Sequence, residues 1–152
     1  MAVFASISAG IRGAVDLENI EIASTLSRDL MDEIIGKGFD DPDAGAVFGP
    51  EEAEPRVNYD DADDYDGWSK SPPQNISGTY FDGTGTTPNY SRFRRAVTVE
   101  NVPEDNFNAG TPSADSTTDA KRIIVTVSWP APGGTTQVEL KSVVTEYHPE
   151  AR

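Results

Sequence analysis

One stretch, Ala14 to Gly38 (AVDLENIEIASTLSRDLMDEIIGKG), restricts the fold of this chain more than any other. Leu17, Ile20, Ala23, Leu26 or Ser27, Leu30 and Ile34 recur at steps of three and four, while Glu18, Glu21, Arg28, Asp32 and Glu33 fall elsewhere. A period of 3.6 puts the first set on one side of a helix, so the spacing predicts an amphipathic helix over residues 16–36 with one stripe to bury. Gly36 and Gly38 flank Lys37. Glycine accepts the left-handed backbone that closes a helix and a cation suits its carbonyl-rich end, so the helix is expected to stop near Ile35. Upstream, residues 1–15 hold Val3, Phe4, Ile7 and Ile11 among small residues, with Arg12 as the one charge. That composition extends the helix. From Ala2 to Ile35 it would reach about 50 Å, more than the width of a small domain, so its apolar start is expected to project and to require a partner.

The rest of the chain must cover the stripe. Residues 37–91 are rich in Asp, Gly, Pro, Ser and Asn. So long a structureless segment is unusual in a compact domain, so Phe39, Phe48, Tyr59, Tyr65, Trp68, Tyr80, Phe81 and Tyr90 are expected to pin it as an ordered loop with short pieces of strand. Residues 92–147 read as an antiparallel meander of at least three strands. Ser91–Val102 puts Phe93, Val97 and Val99 on one face and Ala96, Thr98 and Glu100 on the other, and Pro103 ends it. A polar surface loop follows from Glu104 to Asp119. Lys121–Trp129 alternates through Ile123, Val125, Val127 and Trp129, Pro130–Gly134 turns the chain, and Thr135–Tyr147 returns with Val138, Leu140, Ser142 and Val144 on one parity and a bulge near Ser142. The expected fold is therefore α+β and a single domain, with Leu26, Leu30 and Ile34 as core helix residues against strands centred on Val97, Val125 and Leu140.

Charge narrows the partners. The net charge of −14 argues against nucleic acid and against an anionic membrane surface. Gly38–Asp66 alone carries eleven acids against Arg56, a net of −10. The chain has no cysteine, and its apolar start is too short to span a bilayer. Asp61, Asp63, Asp64 and Asp66 are candidate ligands for calcium, since clustered carboxylates repel unless a hard cation joins them. No register fits a calcium loop: counting from Asp61 puts Asp66 at the glycine place and Pro72 at the twelfth. The competing reading is a solvated acidic loop whose side chains cap turns. His148 reads as a tail residue, and nothing supports a catalytic triad or a glycosidase cleft. Arg92, Arg94 and Arg95 read as charge protecting an edge strand, or as cations meeting the acidic loop. Trp68, Tyr80 and Phe81 could form a stacking surface for carbohydrate, or pin the loop.

Several strings carry a family resemblance. LSRDLMDEIIGKGFDDPD (Leu26–Asp43), VNYDDADDYDGWSKSPP (Val57–Pro73), KRIIVTVSW and VELKSVVTEY are similar to segments of the minor pilins of the mannose-sensitive haemagglutinin pilus type. A long N-terminal helix, a loop and an antiparallel sheet is also the plan of type IV pilins and type II secretion pseudopilins. The resemblance implies a structural, non-enzymatic subunit at the bacterial cell envelope or surface, joined to other subunits through Val3, Phe4, Ile7 and Ile11, with no cofactor required. Such proteins begin with a basic leader and a spanning helix. MAVFASISAGIRGAV resembles only the last part of one, so membrane contact is expected only through a segment missing here, and the chain as written is expected to be soluble and assembly-deficient. The alternative is an extracellular module that binds glycan or protein through the acidic, aromatic loop.

Overall fold

The computed structural model describes residues 2–39, 48–50, 55–108 and 118–146, with side chains from Val15 onward. Helix α1 (Ala2–Ile35) is followed by two 3-10 turns, Arg56–Asn58 and Asp63–Tyr65, and by strands β1 (Ser69–Lys70), β2 (Arg94–Asn101), β3 (Ala120–Ala131) and β4 (Gly134–Thr145). The four strands form one antiparallel sheet in the order β1-β2-β3-β4, and α1 lies across β3 and β4. The fold is α+β.

Register explains the core. Val97, Val125 and Leu140 are partners in a single row across three strands, so a period of two directs them all to one face. Leu30 and Ile34, fully buried, pack there with Met31, Val99 and Ile123. Leu26 and Ala23 meet Phe93, Val127 and Trp129, nearer the β3–β4 turn. The start of the expected stripe is not covered: Leu17 is 70% and Ile20 44% exposed, while Asn19 and Met31 are buried instead. The β3–β4 turn lies level with Val15 to Ile20, so the sheet ends where those side chains would need it.

Local details depart from expectation for identifiable reasons. The helix stops at Ile35, yet neither Gly36 nor Gly38 takes a positive φ. Closure comes from the Gly36 N–H to Asp32 carbonyl and Lys37 N–H to Ile34 carbonyl bonds, and Lys37 Nζ donates to the Tyr59 carbonyl, away from the helix. Gly38 serves another purpose: it bridges Asp61 in parallel, donating to the Asp60 carbonyl at 3.0 Å and accepting from Ala62 N–H at 3.1 Å. This ties the acidic segment to the helix end. No bulge interrupts β4, because pairing is continuous from Ala120↔Thr145 to Ala131↔Gly134 and Ser142 simply faces Ile123. Pro132 and Gly133 form the turn, where a φ of 94° requires glycine.

The edge-strand reading of β2 is also corrected. Its outer side is covered by β1 at Arg95 and Ala96, by the Trp68 carbonyl accepting from Val97 N–H at 2.9 Å, and by Asp66 Oδ1 accepting from Val99 N–H at 2.9 Å. Arg92 and Arg94 are exposed, whereas Arg95 shares the parity of Val97 and Val99 and is 3% exposed. No helix among the described residues is long and apolar enough to cross a membrane. His148 and the side chains of Val3, Phe4, Ile7 and Ile11 lie outside the described residues.

Candidate functional site

The acidic run is not a solvated loop. Asp61, Asp63 and Asp64 are buried, because each carboxylate replaces water with backbone N–H groups or a cation. Asp61 Oδ1 accepts from the N–H groups of Asp63 at 3.0 Å and Asp64 at 3.1 Å, which folds Asp63–Tyr65 into its tight turn. Asp64 Oδ2 accepts from Asp60 N–H at 2.9 Å, and Asp63 Oδ2 from Gly49 N–H at 2.9 Å. Asp63 Oδ1 pairs with Lys121, which leaves the core face of β3, also donates to the Phe39 carbonyl and sits 4.4 Å from the Phe39 ring centre. Asp66 turns the other way, to β2. The four candidate calcium ligands thus have separate partners, and among the described residues no three acidic or histidine side chains converge as a metal site. The cation inside the cluster is Lys121.

Burial and the neighbouring Asp63 push the Asp61 carboxyl up from 3.8 to about 7. Since the folded state then holds a proton that the unfolded chain releases near its ordinary value, Asp61 stabilises the fold below that value and loses this contribution as pH rises towards 7. Asp61→Asn keeps the Oδ1 acceptor and removes the titration. It should flatten the dependence of the urea midpoint between pH 4.5 and 8, and a slope equal to the wild type's would refute this.

A second cluster joins α1 to the loop. Glu33 accepts from Tyr65 Oη at 2.8 Å and lies 3.1 Å from Arg56 Nε, an ion pair without the geometry of a directed hydrogen bond. The Nη2 groups of Arg56 and Arg95 both donate to the Gln74 carbonyl. Trp68 lies near both guanidinium carbons, at 4.5 Å from Arg56 and 5.8 Å from Arg95, and Phe81 is 5.7 Å from Arg95. Burial lowers both arginines, Arg95 to about 10 with Arg56 adding to the effect, and burial with the Glu33 hydrogen bond raises the Tyr65 phenol.

This geometry separates the expected stacking surface. Trp68 is interior at 8% exposure, Phe81 is half-buried beside Leu26 and Phe93, and Tyr80 alone is exposed. The sequence pattern gives no role to Arg56, Lys121 or Glu33 and reads Arg95 as edge-strand charge or a cation for the acidic loop, although parity with Val97 and Ile123 already places Arg95 and Lys121 on the core faces of their strands. A groove at the other end of the molecule is lined by Val15, Asn19, Ile20, Trp129 and Pro130. No protein-family model, curated protein or solved structure matches this chain.

Proposed function

We propose that this chain is a minor pilin-like or pseudopilin-like structural subunit of a bacterial type IV pilus or type II secretion filament, working at the cell envelope or surface. The observation that carries this reading is the mismatch between helix and sheet. In a helix of 34 residues, about 50 Å long, the described side chains are buried from Asn19 to Ile34, while Val15, Leu17 and Ile20 are exposed. An apolar helix end that its own domain leaves uncovered suits lateral packing among helices of other subunits, with sheet and loops facing outward. The role is structural rather than catalytic. The alternative of a binding module using Trp68, Tyr80 and Phe81 is weaker, because Trp68 is committed to the interior.

Cysteines placed at Ile7 and Ile11 should cross-link to neighbouring subunits in filaments sheared from cells carrying the assembly system. Absence of the chain from the filament fraction, with no cross-link at either position, would refute the assignment. Deleting residues 1–14 should leave the unfolding free energy within about 0.5 kcal/mol of the full chain, since described burial begins at Asn19. The same deletion should abolish any self-association seen by light scattering. An unfolded truncation would show that the helix start belongs to the core.

A further inference from the structure

We propose that the outer edge of β4 pairs with the same edge of a second copy of this chain, antiparallel about a two-fold axis at Leu140, joining the two sheets into one. This pairing does not rest on the filament reading.

The backbone sets the phase. β4 is the last strand of the sheet, and β3 lines one side of it along its whole length. In an antiparallel ladder every second residue bonds to the same neighbour. Glu146 N–H donates to the Asp119 carbonyl at 2.9 Å in the register of β3 and β4, so the even-numbered residues of β4 bond to β3. The odd-numbered ones, from Thr135 to Thr145, direct N–H and C=O outward, and among the described residues these groups have no backbone partner. Val138 and Leu140 pack on the helix side yet are half-buried, whereas their β3 partners Val127 and Val125 are fully buried. The edge thus leaves open both hydrogen-bonding groups and apolar surface that another strand would cover.

Charge names the occupant. Glu139 and Lys141 are exposed on the opposite face of the sheet, 3.5 Å apart. With Leu140 facing Leu140 of a second copy, Glu139 stands opposite Lys141 of the copy and Lys141 opposite its Glu139, an attraction made twice. A slip of two residues, the smallest that keeps the ladder in phase, would set Glu139 against Glu139 or Lys141 against Lys141. Ala23 and Leu26 cluster with Val138, and Ile34 with Val144, so α1 and β4 run the same way and the two paired helices lie antiparallel on one face. One strand edge buries less than a stable interface needs, so the pair is transient, with a dissociation constant of about 0.1–1 mM, too weak to register in light scattering at micromolar concentration.

A chain without cysteine lets single replacements report the register. Leu140→Cys should form covalent dimers in a glutathione redox buffer at concentrations spanning that constant, because facing residues of a non-hydrogen-bonded pair lie within disulfide reach. Val138→Cys and Ser142→Cys should each give about tenfold less alone, since identical residues there lie roughly 13 Å apart, yet the two mixed should cross-link as Leu140→Cys does. In the Leu140→Cys chain, Glu139→Lys or Lys141→Glu should lower the yield about tenfold, and both together should restore it to within about twofold. Cooperative melting of each reduced variant establishes that it is folded. Equal yields at positions 138, 140 and 142, a mixture no better than its parents, or a yield indifferent to either single reversal would each overturn the proposal.

Discussion

Lys121→Met should destabilise the fold by about 3–5 kcal/mol, read as a fall in the urea midpoint at constant slope. Lys121 and Asp63 are 6% and 2% exposed, so removing the ammonium leaves a buried carboxylate with Gly49 N–H as its remaining described partner. Lys121 also holds the Phe39 carbonyl and ring, so its loss loosens the chain where it leaves α1. The double variant Lys121→Met/Asp63→Leu should recover part of the loss, because removing both charges eliminates the orphan that makes the single change costly. A single variant that unfolds at the wild-type midpoint would show that the pair does not hold the acidic turn on the sheet. A double variant less stable than the sum of the singles would show that the charges are not each other's main compensation.

Leu30→Ala should cost about 2–5 kcal/mol, whereas Leu17→Ala should stay within about 0.5 kcal/mol. The two leucines lie on one helix, so propensity is matched and burial makes the difference: Leu30 is fully buried in the cluster with Val97, Val125 and Ile123, and Leu17 is 70% exposed. Thermal or urea unfolding of the two variants side by side tests where the sheet ends beneath the helix. Equal effects would contradict the packing boundary near Asn19.

The contrast between these leucines also shows how far local pattern reaches. The 3.6-residue period identifies the helix, and its end at Ile35 is where the sequence puts it, although neither Gly36 nor Gly38 closes it through a left-handed backbone. The same pattern cannot tell Leu17 from Leu30, because the difference lies in the length of β3 and β4 and in where their turn falls. Glu33 gives a similar lesson. It sits off the apolar stripe and reads as a surface charge, yet the loop folds back over it and supplies Tyr65 and Arg56.

By itself the sequence determined the features whose cause is short-range: a long helix with one apolar side, alternating strands around Val97, Val125 and Leu140, a turn within Pro130–Gly134, and hence an α+β fold. These depend on periods of a few residues and on the allowed backbone of glycine and proline, which any window of the chain displays. Only the tertiary structure decided which charges are buried and with whom. Lys121 meets Asp63 across 58 residues, Tyr65 reaches Glu33 across 32, and Arg95 reaches the helix carbonyl of Leu26 across 69. Burying a charge becomes tolerable only when a partner from a distant segment arrives with it, and no local pattern records that arrival.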